Sequence, residues 1–439
     1  MSLVAGASGG GIRVPARLRL RRFGVFLLTF LAVIPIQAHF GGATVGIALL
    51  VCGALALSHF ASLLMGAHIP QRELHLLALL VGLLIVFLLG SLRIGVQDIS
   101  MVIMCLYGIV IFGGSMALAR QYARAYGPKF IDAALLNLFL VGLLQSAVQI
   151  GVLASAPMSD LVYGIVALSD DSSIHIAQGY RSPGLFSSGA AVLGTFNAFV
   201  LAIGLTALLR PAFKPSWRRV SLVALASVVQ ITAIALSGRT GFVVLALYLA
   251  LLSARGLMRT RPALVGANLF KIGTIIAALV LAFLFYVGAD VIEQNLRWSF
   301  EFIYSLLEGE GLKTESTNIL LGDMFFLPDT LSGLLLGTGN FGRSAGLPYV
   351  DSDAGYVLMI FGGGVLGAVP TMSIFALICG QAASMRRRHP PLAFLIVFFV
   401  IAVFVINFKD FYFLQNSGVT QLLLFCHALL ITESIRLGR

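Results

Sequence analysis

The chain has 439 residues, of which 59% are hydrophobic and 11% are charged, and its mean hydropathy is +0.99. These values exclude a soluble globular domain, because such a chain has too little polar surface to cover itself. The net charge of +11 does not indicate nucleic-acid binding, since the basic residues are scattered over short connections between apolar segments.

Twelve apolar stretches follow one another along the chain, and most are long enough to cross a hydrocarbon core of about 30 Å as helices. They are centred near residues 31, 52, 83, 109, 143, 197, 228, 247, 280, 367, 399 and 425. The seventh and eighth are separated only by residues 237–239, so we expect this pair to be tilted, shortened or re-entrant. The sequence therefore predicts an all-α polytopic membrane protein with about twelve transmembrane helices, forming a single integral-membrane domain over residues 1–439.

Lys and Arg predict the orientation, because loops retained in the cytoplasm carry the excess of positive charge. With the N-terminus inside, twelve crossings place 22 of the 29 Lys and Arg residues in the cytoplasm and 15 of the 18 carboxylates outside. We therefore expect both termini to be cytoplasmic. Arg93, Arg181, Arg239, Arg343 and Lys409 are among the basic residues left outside.

Two of the predicted outside loops are long, at residues 155–185 and 290–354, whereas the other connections are short. In the second loop, apolar residues recur at helical spacing around Phe300, Ile303 and Leu307, which predicts an amphipathic helix lying over a site. Long polar loops on one face of a membrane protein are typical of a functional site when the other loops are short.

Two motif-like strings in the second loop do not indicate a cofactor or a metal. Gly337, Gly339 and Gly342 match the spacing of a dinucleotide-binding loop, but no βαβ unit surrounds them. A turn that lets the backbone approach other backbone or a substrate is the better interpretation. Asp351 and Asp353 match the DxD clamp of nucleotide-sugar enzymes, yet nucleotide sugars are cytoplasmic and neither long loop holds a histidine cluster. We therefore predict neither a cofactor nor a metal.

Two arginines lie against the charge trend on the predicted outer face. Arg181 occurs in GYRSPGLFSSG before the sixth apolar stretch, and Arg239 occurs in the SGR connection between the seventh and eighth. A guanidinium near the membrane surface is costly unless it snorkels, pairs with an anion or holds a ligand. Pairing with headgroups or carboxylates is one interpretation. The sharper one is a joint anion site, because two planar guanidiniums suit the oxygens of a pyrophosphate.

Four segments, taken in order, resemble the O-antigen polymerase and ligase superfamily of bacterial membrane glycosyltransferases. They are RSPGLF with the small-residue stretch after it (181–194), LSGRTGFVVL (236–245), LLLGTGNFG (334–342) and DSDAGYVLMIFGGGVLGAV (351–369). The resemblance implies a GT-C-like architecture of twelve helices in the bacterial inner membrane, with the active site at the periplasmic face. It also implies lipid-linked sugars on undecaprenyl pyrophosphate as substrates and no nucleotide sugar.

The resemblance also implies roles for individual residues. By position, the two arginines hold the donor pyrophosphate as the glycosidic bond breaks, and Asp353 or Asp351 accepts the proton from, or orients, the acceptor sugar hydroxyl. The ligases carry a histidine in the loop before the tenth helix, whereas this chain has none between His175 and His389. The polymerase branch is therefore favoured, and an O-antigen ligase or O-oligosaccharyltransferase using the same donor is the alternative.

Further residues on the same face are assigned to substrate binding: Gly339, Arg343, Tyr356, His175 and Lys409. Several of the site residues have a simpler interpretation. His175 is an acid or base, or else a solvated loop residue. Lys409 and Asp410 line an acceptor path or only compensate each other's charge. Asp353 acts on the acceptor or caps the tenth helix, and Tyr356 stacks on a sugar or anchors that helix at the interface.

The implied partners are the undecaprenyl-pyrophosphate-linked oligosaccharide donor and acceptor, the membrane, and a chain-length regulator and a flippase of the same pathway. A lipid-linked oligosaccharide flippase or other transporter is a rival of a different class, but it would need polar residues in mid-span along a pathway. Gln145, Gln149 and Gln230 are the main polar side chains within the apolar stretches. This favours an enzyme that works at one face.

Overall fold

The computed structural model describes residues 15–40, 43–66, 69–93, 98–169, 176, 182–187, 191–208, 217–257, 322–339, 341 and 350–438. Within them, five helical stretches are long and apolar enough to cross a membrane: Ile47–Leu64, Gln71–Arg93, Ser100–Ala154, Gly355–Ser384 and Val419–Arg436. Four shorter apolar helices accompany these stretches. The protein is therefore a helical membrane protein. The count of twelve spans stays a prediction, because the stretch near residue 280 lies outside the described residues.

The helices of the described residues are numbered in chain order: α1 Ala16–Val33, α2 Ile47–Leu64, α3 Gln71–Arg93, α4 Ser100–Tyr126, α5 Phe130–Ala154, α6 Ala156–Tyr163, α7 Ala191–Leu208, α8 Trp217–Ser237, α9 Arg239–Leu257, α10 Leu331–Leu336, α11 Gly355–Ser384, α12 Pro390–Ile406 and α13 Val419–Arg436. A single 3₁₀ turn, Gly127–Lys129, joins α4 to α5. The stretch Ser100–Ala154 is therefore a helical hairpin, in which Asn137 Nδ2 lies 2.8 Å from the Tyr122 hydroxyl.

A small antiparallel sheet joins α1 to α2. Its strands are β1 (Gln37–Phe40) and β2 (Ala43–Gly46). On the free side of β1, Ala38 forms a bridge with Val166, and backbone hydrogen bonds of 2.8 and 3.1 Å flank that bridge. The sheet thus ties the first long loop to the connection between α1 and α2.

Contacts between the described connections group them into two ends. The carboxylate end comprises residues 34–40, 43–46, 98–99, 155–169, 182–187, 237–239, 322–339, 350–354 and 407–418, which are joined by the contacts of Ala38 with Val166 and of Gly418 with Phe186, among others. The basic end comprises residues 16–22, 65–66, 69–72, 120–130, 385–390 and 433–438. There, Arg22 Nε donates to the Ala125 carbonyl, and Gln381 Nε2 donates to the Arg72 carbonyl.

Two buried carboxylates at the basic end are paired with basic side chains. Glu73 lies 2.6 Å from His59 Nε2 and accepts from Arg120 at 3.2 Å. Glu433 accepts two hydrogen bonds from Arg436, at 2.7 and 2.8 Å. An unpaired buried charge is costly, so these pairs explain how both carboxylates are accommodated inside the protein.

Helix α13 lies at the centre of the described bundle. Its residues from Val419 to Ser434 are all buried, and it packs against α4, α7 and α12. Helices α7 and α12 also meet each other, where the rings of Phe199 and Phe399 stack at a centroid distance of 4.0 Å. A helix that is buried on every side is typical of the interior of a large helical protein.

Helix α11 is broken at Gly364, which has φ 61° and ψ −167°. The break lies beside the turn that follows α10, so closely that a Cβ on Gly364 would overlap the Gly337 amide. The Phe361 carbonyl, just before the break, accepts hydrogen bonds from the Thr338 amide (2.8 Å) and the Thr338 hydroxyl (3.1 Å). These are the outside donors that a broken helix needs where water is scarce.

Candidate functional site at the carboxylate end

Ser352 positions the two acidic residues that precede α11. Its hydroxyl donates to the Met324 carbonyl (2.7 Å) and accepts from the Ala354 amide (3.1 Å), and its side chain is buried. Asp351 and Asp353, on either side of it, are exposed. The alternative that Asp353 caps the helix is wrong, because Ala354 occupies the N-cap position and no side chain of a described residue forms a capping hydrogen bond there.

The first turn of α11 packs directly on the backbone of the connection between α12 and α13. A Cβ on Gly355 would lie 2.6 Å from both Asn407 Oδ1 and the Asp410 carbonyl oxygen, so the approach requires glycine. One residue later, the Tyr356 amide donates to the Asn407 carbonyl (3.3 Å). These contacts hold Asp353 and Asp410 near each other, although they are far apart in the sequence.

Asp410 is the described acidic residue with the most altered proton affinity at this end. Its pKa is raised from an ordinary value of 3.8 to about 6, chiefly because burial disfavours the carboxylate. The Phe411 amide, which donates to Asp410 Oδ1 at 2.8 Å, lowers the pKa, the charge of Asp353 raises it and Lys409 lowers it. A carboxyl of this pKa is ionised at neutral pH and still accepts a proton readily.

Tyr356 holds α11 against the end of α12. Its hydroxyl donates to the Phe404 carbonyl (2.7 Å), and its ring meets Phe408 and Phe413 edge-on at centroid distances of 5.0 and 6.1 Å. These contacts are those of a packing residue. A role of Tyr356 in stacking on a sugar stays a prediction.

The connection at residues 407–418 also reaches the start of α7. Tyr412 is buried, and its hydroxyl faces Thr195 of α7. A Cβ on Gly418 would lie 3.0 Å from Phe196 and 3.1 Å from Phe186. One side of this connection therefore packs on α11, and the other packs on α7 and on the turn at 182–187.

Arg239 begins α9 directly after Gly238, the single residue that separates α9 from α8. This turn touches α7 backbone to backbone: a Cβ on Gly241 would lie 2.6 Å from the Gly194 carbonyl oxygen, and one on Gly194 would lie 3.3 Å from the Gly238 carbonyl oxygen. The partly exposed Arg239 thus stands at a helix N-terminus, where the aligned peptide dipoles add partial positive charge. This point of the surface favours an anion.

The GTGNFG segment is tied to the ends of α3 and α4. Arg93 Nη2 donates to the Gly337 carbonyl (2.5 Å), and Asp98 Oδ2 accepts from the Phe341 amide (3.0 Å). Gly337 and Gly339 have φ angles of 76° and 73°, which side chains other than glycine rarely adopt. The segment is therefore a turn in which Gly337 approaches the backbone of α11.

Three predicted site residues lie outside the described part of the chain: Arg181, His175 and Arg343. The predicted amphipathic helix around Phe300 lies outside it too. Of the remaining candidates, the structure brings Asp353 to Asp410 and its neighbour Lys409. It places the Arg239 turn against α7, with the 407–418 connection between α7 and α11.

Two acidic residues of this end have roles that their sequence context does not indicate. Asp410 is predicted to line an acceptor path with Lys409 or to compensate its charge, and Asp98 has no predicted role. The available signal for Asp410 was an acidic residue inside the otherwise aromatic string NFKDFYF. Asp98 is a lone carboxylate in a short connection, and no motif marks it.

A comparison with models of known protein families finds none that matches this chain, and a search of curated proteins finds no matching relative. The assignment of a function therefore rests on the residues of the carboxylate end and their geometry.

Proposed function

We propose that this protein is a polysaccharide polymerase of the bacterial inner membrane, with its active site at the periplasmic face. It transfers a growing glycan from undecaprenyl pyrophosphate to a sugar hydroxyl of an incoming lipid-linked repeat unit. The observation that carries the proposal is that one connection, residues 407–418, both holds Asp410 beside Asp353 and packs on the start of α7, which the Arg239 turn also touches. Transfer between two lipid-linked substrates needs a cation for the leaving group and a base for the acceptor on one face.

On the donor side, Arg239 holds the pyrophosphate, with Arg181 as the second guanidinium that the sequence predicts. The bond between the sugar C1 and the pyrophosphate oxygen breaks, and the oxygen keeps the electron pair. Negative charge therefore builds on the pyrophosphate during transfer. A cation and a helix N-terminus already in place stabilise that charge without reorganisation.

On the acceptor side, the sugar hydroxyl oxygen forms the new bond to C1 and loses its proton. The family resemblance implies that Asp353 or Asp351 accepts this proton. The raised pKa of Asp410 and its place beside Asp353 support Asp410 as the base instead, with the exposed carboxylates of Asp351 and Asp353 orienting the acceptor sugar.

A transporter of lipid-linked oligosaccharide is the rival from another class, and the break in α11 is the feature that favours it. Broken helices in transporters use their freed backbone groups to bind substrates or ions. In this chain, however, the Phe361 carbonyl is already bonded by Thr338, and Gly337 fills the space at Gly364. The break is thus occupied by the protein itself, which supports the enzyme.

Deletion of the gene in the producing bacterium tests the proposal. High-mass polysaccharide should disappear and single repeat units should accumulate at the periplasmic face. A plasmid copy of the wild type should restore the polymer, and a copy with Asp410→Asn should not. Repeat units that stay in the cytoplasmic leaflet would indicate a transporter and contradict the proposal.

A further inference from the structure

Two phenylalanine rings connect the GTGNFG segment to the connection at residues 407–418. Phe341, from that segment, meets Phe411 edge-on, at a centroid distance of 4.7 Å and an interplanar angle of 76°. Phe411 is buried and Phe341 is half-buried. Because aromatic pairs prefer such edge-on geometry, each ring restricts the orientation of the other. The GTGNFG segment thus contacts the residue that directly follows Asp410.

Phe411 is also the residue whose backbone binds the Asp410 side chain. Its amide donates to Asp410 Oδ1 at 2.8 Å. Its Cα would lie 2.9 Å from a Cβ on Gly355, the first residue of α11. Phe411 is therefore held by α11 at its backbone and by Phe341 at its ring. A displacement of the ring would move the amide that binds the carboxyl group.

Asp98 fixes the backbone of Phe341. Its side chain is buried, its Oδ2 accepts from the Phe341 amide (3.0 Å), and its Oδ1 accepts from the amide of Ser100 (2.8 Å), the first residue of α4. A buried carboxyl group needs partners of this kind. Helix α4 packs against α2, α3 and α13. Asp98 therefore ties Phe341 to a helix that is itself held firmly in the bundle.

We propose that Asp98 and Phe341 are positioning residues that hold Phe411 and, through its amide, hold the Asp410 carboxyl group in place to take the proton of the acceptor hydroxyl. The inference rests on the proposed function and adds how its base is oriented. With Oδ1 on the Phe411 amide, Oδ2 takes the proton while the acceptor oxygen forms its bond to C1. Such a transfer depends on the distance and alignment of the two oxygens, so a displaced base is slower.

Single-turnover glycan transfer by the purified protein in nanodiscs, measured over a range of pH, tests this inference. Phe341→Leu removes the ring and should lower the rate at high pH by about two- to tenfold. The Phe411 amide lowers the pKa of Asp410, so a weaker hydrogen bond should also move the fall in rate to a higher pH, by about half a unit. Asp353 and Lys409, the other charges that act on Asp410, are the same in this variant.

Two further variants separate positioning from folding. Asp98→Asn places an amide where the carboxyl group accepts from Phe341, so it should act in the same direction, and it gives the same readout if Phe341→Leu does not fold. Phe341→Tyr keeps the ring and should restore the wild-type rate and pH dependence. In an Asp410→Asn background, Phe341→Leu should cause no further loss, since it acts through the carboxyl group.

Phe326→Leu is the matched control, because the Phe326 ring meets Phe361 of α11 edge-on at 5.3 Å instead of Phe411. It should leave the rate and its pH dependence unchanged. If Asp410→Asn abolishes transfer while Phe341→Leu and Asp98→Asn behave as the wild type, the inference is overturned and the proposed function stands. A slower Phe341→Leu whose fall in rate is not moved to higher pH would show a structural role alone and also overturn it. A wild type that transfers no glycan would refute the proposed function itself.

Discussion

Arg239 combines a permanent positive charge with the N-terminus of α9. Replacing it with Ala should lower the rate of glycan transfer by roughly 10²–10³, the usual effect of losing one preorganised group that stabilises transition-state charge. Arg239→Lys should recover only part of the rate, because an ammonium cannot bind phosphate oxygens bidentately. Single-turnover transfer measures this. Arg387→Ala, at an exposed arginine of the basic end, is the control and should transfer at the wild-type rate.

The raised pKa of Asp410 predicts how the transfer rate depends on pH. A base must be deprotonated to act, so the wild-type rate should fall as the pH drops through about 6. Asp410→Asn keeps an oxygen for the Phe411 amide but removes the base, so its rate should be low and nearly independent of pH. Asp353→Asn removes a charge that raises the pKa of Asp410, so the fall in rate should occur at a lower pH. If Asp353→Asn abolishes the fall in rate at low pH and Asp410→Asn keeps it, then Asp353 is the base.

The raised pKa of Asp410 also predicts that the free energy of unfolding depends on pH. The folded-state pKa of Asp410 is raised, so the folded protein binds this proton more tightly than the unfolded chain. The resulting stabilisation is complete below the ordinary pKa of 3.8 and is lost as the pH rises through about 6. At pH 7.5, Asp410→Asn should therefore unfold at a higher temperature than the wild type, and the difference should shrink at pH 5. A wild type that unfolds at the higher temperature at pH 7.5 would contradict this assignment.

At the scale of elements, the junction of α11 with the 407–418 connection holds the carboxylate pair together. Gly355→Ala forces a Cβ to within 2.6 Å of Asn407 and Asp410, and should destabilise the protein by about 1–3 kcal/mol and slow transfer. Gly380→Ala, in the same helix, is the matched control because its Cβ would meet nothing within 4 Å. There the change should be neutral or stabilising by up to about 1 kcal/mol. Thermal unfolding in detergent compares the two variants.

The positions of the helices are predictable because apolar length is a strong local signal, and α2 to α5 and α11 to α13 lie where the apolar stretches indicate. The sheet of β1 and β2 is not predicted, although Gly41 and Gly42 form the two-residue Gly-Gly signal of a hairpin. The break at Gly364 is not predicted either. A run of three glycines, residues 362–364, gives no sign of which one leaves the helix.

The acidic half of the site is only partly predictable. Asp351 and Asp353 are marked by their motif, but Asp410 follows 57 positions after Asp353 and joins it only through the packing of Gly355 on Asn407. Such a pairing depends on tertiary contacts that one sequence does not encode locally. The same holds for the rings of Phe341 and Phe411, which lie 70 positions apart in the sequence and meet only through the fold.

At the scale of the whole molecule, the two ends should lie on opposite sides of the membrane. Asp329→Cys, at an exposed position of the carboxylate end, should react with a membrane-impermeant maleimide in cells whose outer membrane alone is opened. Arg387→Cys, at an exposed position of the basic end, should react only after the inner membrane is also permeabilised. The parent chain, with its four native cysteines, supplies the background signal. The reverse pattern would place the carboxylate pair in the cytoplasm and refute a periplasmic active site.

The most direct test of the proposed activity is to incubate the purified protein in nanodiscs with lipid-linked repeat units and EDTA, and to resolve the products on a gel. We predict a ladder at the spacing of one repeat unit, with release of undecaprenyl pyrophosphate, that is lost in Arg239→Ala and Asp410→Asn. Transfer only after lipid A core or a protein acceptor is added would identify a ligase or an O-oligosaccharyltransferase. No transfer to any acceptor, together with movement of the lipid-linked units across vesicles, would contradict the enzyme.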